Sequence, residues 1–314
     1  MDDLRRWRVR SMLILVLATS TVLVWGLPYA VNLSQGGGEY LTVSFLDVGQ
    51  GDSILITSPD GVRALIDGGP DSAVLRELGE RMGFFNRRLD VVLATHPDLD
   101  HIGGLVDVLK RYLVTLVIQT ESQNETNVAR AYAKAVNNSN AEVLFARRGQ
   151  RIFLGADTVL EVLFPEYHAL YKDPNTASIV VRVVYGDTAF MLTGDAPLVI
   201  EEYLVATEPT EGLRSEVLKV GHHGSRTSTA ENFVATVSPV YGVISAGFNN
   251  RFGHPHEEVV ETLLNAEVEI LNTADLGTIT FYSDGRNVWR EEDREKFFVK
   301  WLDKIKLNIS NKLH

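Results

Sequence analysis

The chain has 314 residues, 30 Lys+Arg against 41 Asp+Glu for a net charge of −11, 45% hydrophobic residues and no cysteine. That composition excludes a disordered or collagen-like chain and leaves ample material for a packed core. The acidic balance excludes a binder that grips nucleic acid through a broad basic face, and the missing cysteines exclude thiolate metal sites, cysteine nucleophiles and any disulfide-linked partner.

Charge is unevenly placed. Residues 1–10 hold Arg5, Arg6, Arg8 and Arg10 against Asp2 and Asp3, so the leading end is +2 and the remainder −13. Ser11 to Val31 follows, 21 residues without a charge, long enough at ~1.5 Å per residue to cross a ~30 Å hydrocarbon core. The positive-inside rule then places everything after residue 32 outside the cytoplasm. Residues 1–31 are therefore expected to be a signal-anchor, which makes the membrane a partner. The alternatives are a signal peptide whose cleavage yields a secreted protein and a buried core helix. Residues 32–39, with Gly36-Gly37-Gly38, form a flexible linker, and the folded domain is expected over 40–290.

Within that body, Thr42–Val48, Ser53–Thr57 and Arg63–Gly69 read as strands separated by the turn clusters Gly49-Gln50-Gly51-Asp52 and Pro59-Asp60-Gly61. Helical spacing covers Ala73–Met82, a strand returns at Val91–Ala94, and a helix is predicted over Ile102–Tyr112. Ser178–Val184, a turn at Tyr185-Gly186-Asp187 and Ala189–Asp195 echo the earlier hairpin, since the second strand again ends in an Asp beside Gly. Two related halves predict a mixed α/β fold of four layers, αββα. His96, Asp195, the His222-His223 pair and His254/His256 all follow strand-like segments, and strand C-termini along one edge are where α/β active sites form.

Thr95-His96-Pro97-Asp98-Leu99-Asp100-His101-Ile102-Gly103-Gly104 is the most informative stretch. Two His and two Asp in six residues, between a strand and a helix, supply imidazole and carboxylate ligands suited to zinc, manganese or iron. This stretch resembles the metallo-β-lactamase superfamily motif His-x-His-x-Asp-His, with Asp in the third position. Leu46-Asp47-Val48-Gly49-Gln50-Gly51-Asp52-Ser53, Ile66-Asp67-Gly68-Gly69, Leu192-Thr193-Gly194-Asp195, Lys219-Val220-Gly221-His222-His223-Gly224-Ser225 and Phe252-Gly253-His254-Pro255-His256 are similar to the ComEC-type competence (DNA-uptake) branch, here as a free-standing form.

The resemblance implies a metal set of His96, Asp98, Asp100, His101, Asp195 and His222 holding two divalent ions, Zn²⁺ or Mn²⁺. His96 and Asp98 would serve the first ion, Asp100 and His101 the second, with Asp195 bridging. Of His222 and His223, one would ligate and the other face the substrate. Asp100, His222 and His223 are the candidate catalytic groups; Lys219, Arg226, His254 and Asn175 are the candidate substrate contacts, and Arg251 is a further cation near the ligands. Asn175 stands where most superfamily members carry another first-site His. Asp67 is expected to buttress a ligand or cap its hairpin, whereas turn geometry accounts for Asp47 and Asp52. His168 reads as a loop residue.

Two metals can activate a shared water and clamp the attacking and leaving oxygens of a phosphoryl centre. The expected function is hydrolysis of a phosphodiester, DNA among the substrates, outside the cytoplasm. An envelope phosphoester or a non-enzymatic metal module are the alternatives. Residues 291–314, with Phe297, Phe298, Trp301, Leu302 and Ile305 between lysines, are expected to form an amphipathic helix that packs on the domain or touches the membrane.

Overall fold

The computed structural model describes residues 38–83, 85–122, 124–166 and 173–292. The expected anchor, most of the linker, His168 and all but the first residues of the C-terminal helix lie outside them. Among the described residues no helix is long and apolar enough to cross a membrane.

The N-terminal half builds β1 (Leu41–Phe45), β2 (Ile54–Thr57), β3 (Arg63–Ile66), β4 (Arg88–Ala94), β5 (Leu113–Gln119) and β6 (Glu142–Phe145). The second half builds β7 (Arg151–Phe153), β8 (Thr158–Phe164), β9 (Val180–Tyr185), β10 (Thr188–Leu192), β11 (Val217–Lys219), β12 (Tyr241–Ile244) and β13 (Glu269–Asn272). Finally β14 (Ile279–Ser283) and β15 (Val288–Arg290) return to the first sheet beside β1. The sheet orders are β15-β14-β1-β2-β3-β4-β5-β6 and β13-β12-β11-β10-β9-β8-β7.

The sequence echo is a real topological repeat. The β2–β3 hairpin, with Ile54 opposite Ile66, feeds the parallel run β3-β4-β5-β6. The β9–β10 hairpin, with Val181 opposite Leu192, feeds the parallel run β10-β11-β12-β13. Between the sheets lies an apolar layer centred on Phe45, Phe190 and Phe281, the last meeting the other two edge-to-face at 6.0 and 6.3 Å. Outside the first sheet pack helices Ala73–Met82, Leu105–Arg111 and Asn127–Asn138; outside the second pack Leu198–Thr207, Glu231–Val237 and Glu257–Asn265. This is the four-layer αββα arrangement. Helix Ala73–Met82 shows the cause: Val74, Leu78 and Met82, four apart, are its buried stripe.

The single helix predicted over Ile102–Tyr112 is instead two, Leu99–Ile102 and Leu105–Arg111. Gly103 and Gly104 separate them because the loops after β3 and β4 meet backbone to backbone. Gly68 N–H donates to His101 O at 2.7 Å and Gly104 N–H to Gly69 O at 2.9 Å. A Cβ on Gly104 would stand 2.0 Å from Gly68 O. We expect Gly104→Ala to cost about 1–3 kcal/mol in urea unfolding of the full chain, and to weaken divalent-metal binding by moving His101 off its partner.

Candidate metal centre

Each sheet delivers its chemistry at the C-terminal ends of its parallel strands. Asp67 follows β3 and Thr95-His96 follows β4; Asp195 follows β10 and His222-His223 follows β11. Asp67 is fully buried and left-handed, with φ of 57°. Its Oδ1 accepts from Thr95 N at 2.8 Å, and its Oδ2 accepts from Thr95 Oγ1 at 2.7 Å and His101 Nδ1 at 2.8 Å. The His101 proton therefore sits on Nδ1, and Nε2 faces the cluster, 3.3 Å from Asp195 Oδ2. Since the Thr95 hydroxyl proton is given to Asp67, its oxygen is left to accept from His96 Nδ1 at 3.0 Å. Ser178 Oγ also lies 3.3 Å from that nitrogen.

From the second sheet, His223 donates Nδ1–H to Ser245 O at 2.8 Å. Its Nε2 lies 3.4 Å from Asp100 Oδ2 and 3.5 Å from Asp195 Oδ2. His222 Nε2 is 3.6 Å from the same Asp195 oxygen, while its Nδ1 meets Thr227 Oγ1 at 2.8 Å. Both histidines have positive φ, 47° and 56°, a conformation that costs a non-glycine residue about 1–2 kcal/mol each. The loop is pinned by His222 N–H to Gly194 O and by buried Glu201, which accepts from Thr229 N at 2.8 Å and Ala230 N at 2.7 Å. Burial raises the Glu201 carboxyl to about 7 despite those two donors.

The residues present fit a cation. Nε2 of His96, His101 and His223 and Oδ1 of Asp195 are buried and lack hydrogen-bond partners among the described residues. His96, His101 and Asp195 form one group able to hold an ion, and Asp100, His101 and His223 another. Buried lone pairs converging without donors are costly unless something positive is bound among them.

Protons can take part of that role. Burial would lower His223, yet Asp195 and Asp52 raise it to about 9, and His101 is likewise raised against burial by Asp195 and Asp67. Burial would raise Asp195, but His223 and His101 hold it well below its ordinary range. His96 falls to about 3 through burial and the neighbouring His101 charge. His254 falls to about 4, through burial and then the His223 charge.

Of the sequence-predicted residues, the structure brings His96, Asp98, Asp100, His101, Asp195, His222 and His223 together; His96 Nε2 is 3.9 Å from Asp98 Oδ2. It distinguishes the late pair: His223 is the buried one grouped with Asp100 and His101, while His222 is part exposed and outside those groups. His254 sits at the mouth, 5.8 Å ring to ring from His222. Arg226 is exposed, 3.7 Å from Glu258. Asn175 opens the turn Asn175–Ala177, and it is Ser178 just beyond that reaches His96.

Lys219 is a correction: it is fully buried, and its ammonium pairs with Asp52 at 2.7 Å rather than facing a substrate anion. Asp52, assigned to turn geometry, is a second correction, since its carboxylate also lies 3.3 Å from His223 Nδ1. A lysine closing the apolar run Val217-Leu218 was the sequence signal for this pair.

A two-sheet sandwich with a His/Asp cluster across its strand ends is the architecture of a metallo-hydrolase fold. The chain belongs to the metallo-β-lactamase superfamily, whose model matches residues 46–247. That fold binds divalent metals and is generally one of metal-dependent hydrolases. ComE operon protein 3 of Bacillus subtilis is 31% identical over 259 residues, covering 76% of this chain and 32% of that protein. Competence protein ComA of Neisseria gonorrhoeae is 32% identical over 264 residues, 81% of this chain and 35% of that protein. The chain thus spans about a third of the length of these curated relatives. Among solved structures, CmlA, a diiron β-hydroxylase from Streptomyces venezuelae, aligns with a TM-score of 0.51 at 12% identity over 81% of this chain and 54% of that one. This likeness shows the fold alone, and its named chemistry is a reminder that fold does not fix reaction.

Metal must displace the protons held by His223 and His101, so affinity is expected to climb with pH up to about 9, by up to about tenfold per unit for each proton released. Chelator competition across that range checks it. The stability that metal-stripped protein draws from protonated His223 is complete below about 6.5, the ordinary histidine value, and is lost as pH rises through about 9. Its Tm should fall across that window and recover on adding metal.

Proposed function

We propose that this chain is a metal-dependent phosphodiesterase, acting on DNA outside the cytoplasm. The observation that carries the reading is the convergence on Asp195 of three buried imidazole Nε2 atoms that have no hydrogen-bond partner among the described residues. Two divalent ions, Zn²⁺ or Mn²⁺, are the proposed cofactors. With all five ionised, Asp52, Asp67, Asp98, Asp100 and Asp195 against Lys219 leave four negative charges, the number two such ions neutralise. The metals would supply Lewis acidity and a nucleophilic water.

The chain's own residues would do the rest. His96, Asp98, Asp100, His101, Asp195 and His223 would hold the ions. Asp100, with its side chain 31% exposed, would orient the attacking water. His222, part exposed and braced by Thr227, would protonate the leaving oxygen. Arg226 and Arg251, both exposed, would meet the anionic backbone.

DNA is favoured over a lipid or choline headgroup by the rim. Phe252 stacks on His254 at 5.6 Å and 21°, Arg251 lies 4.8 Å above the Phe252 ring, and Phe248 is 76% exposed. Aromatic faces beside a cation suit unstacked bases. The basic leading end and uncharged run of residues 1–31 support the extracytoplasmic placement and a membrane partner.

The test is turnover of bis(p-nitrophenyl) phosphate and single-stranded DNA by the full chain with Mn²⁺ or Zn²⁺. His96→Ala and Asp195→Ala should each lose at least about 100-fold; activity indifferent to both would sink the reading. Phe252→Ala should raise KM for single-stranded DNA about tenfold, the loss of one stacked base, while leaving bis(p-nitrophenyl) phosphate unchanged. Equal effects on both substrates would turn the preference toward a small envelope phosphoester.

A further inference from the structure

Lys219 is among the largest fully buried side chains of the described residues, and it sits directly behind the metal cluster. Its Nζ lies 2.7 Å from Asp52 Oδ2 and donates to Val220 O at 3.0 Å. The other carboxylate oxygen, Asp52 Oδ1, is buried 3.3 Å from His223 Nδ1 without a hydrogen bond of its own. The proton of that nitrogen goes to Ser245 O at 2.8 Å. Asp52 therefore acts on His223 through charge. A buried ion pair of this kind is weak evidence for a stabilising role, because a well-packed neutral pair often does as well.

The pair is also aimed. Its negative end faces the imidazole whose Nε2 looks at Asp100 and Asp195, and its positive end is carried by the last residue of β11. A carboxylate behind a ligating histidine strengthens the donor nitrogen on the far side of the ring. The ammonium offsets the charge of that carboxylate, whose Oδ2 is also 4.0 Å from His101 Nδ1. From this geometry we infer that Asp52 and Lys219 are a positioning pair for the metal centre: Asp52 polarises His223 toward the metal, and Lys219 limits how much negative charge the site presents. The inference rests on the reading that the cluster holds divalent ions.

Backbone bonds from this segment stay in place when its side chain changes. Asp52 N–H donates to Asp100 O at 3.1 Å and Asp52 O accepts from Gly69 N at 2.8 Å. Substitution of the side chain thus separates the charge from the scaffold.

The experiment measures Mn²⁺ and Zn²⁺ affinity of the full chain by chelator competition, beside the Tm of metal-stripped protein. Asp52→Asn should weaken binding about 10–100-fold. Lys219→Met should tighten it at least about fivefold, because an uncompensated carboxylate attracts a dication. The neutral pair Asp52→Asn/Lys219→Met should regain the wild-type Tm of the metal-stripped form and still bind more weakly, which a purely structural pair would not do. If that double variant does not fold, Lys219→Met decides by its sign, measured in the metal-loaded form; unchanged or weaker binding there overturns the inference. Wild-type binding that all three variants match overturns it alone. A wild-type chain that takes up neither metal removes the metal-centre reading and this inference together.

Discussion

Buried negative charge is the constraint on which the rest of the structure depends. Asp52, Asp67 and Asp195 are each at most 3% exposed and lie in one connected cluster with part-exposed Asp98 and Asp100 at its rim. Such a gathering repels itself in a medium of low dielectric, and it persists only where each carboxylate is met by a donor or a positive charge. The compensation is specific to each. Thr95 and His101 serve Asp67, Lys219 serves Asp52, and the imidazole edges of His96, His101, His222 and His223 surround Asp195.

The repeated sheet topology makes this possible. Each half brings a hairpin that ends in an aspartate and, on the next parallel strand, a histidine loop. Asp67 and Asp195 occupy matching positions in the two halves but have diverged in task. Asp67 turns its carboxylate away to orient a ring; Asp195 turns its own into the space between the rings. The apolar layer of Phe45, Phe190 and Phe281 fixes the spacing of the two sheets, and with it the distance across which the candidate ligands meet.

The legible parts of the site were those written in adjacent residues or at repeated strand ends. His96, Asp98, Asp100 and His101 declare themselves because one loop carries all four. Asp195 and the His222-His223 pair follow from position after a strand, and the αββα layering follows from the hairpin echo. Asp52–Lys219 was hidden for a physical reason: the partners come from opposite sheets, and each alone has a commonplace explanation, a turn aspartate and a cation near a site. Likewise Ser178 carries no local signal beside Asn175, since only the turn's three-dimensional course shows which side chain arrives at His96. The break in the helix at Gly103-Gly104 required knowing that another loop passes within backbone contact.

The left-handed histidines carry an evolutionary consequence. Gly221 and Gly224 flank a pair whose backbone conformation glycine adopts without penalty. For backbone conformation alone, then, glycine suits the positions of His222 and His223 better than a residue with a side chain. Two bulky rings stand there against the folding preference of the loop, with Glu201 and Gly194 supplying the hydrogen bonds that keep it in place. Selection for thermal tolerance alone would favour replacing the left-handed His222, so stability and the candidate site pull this segment in opposite directions.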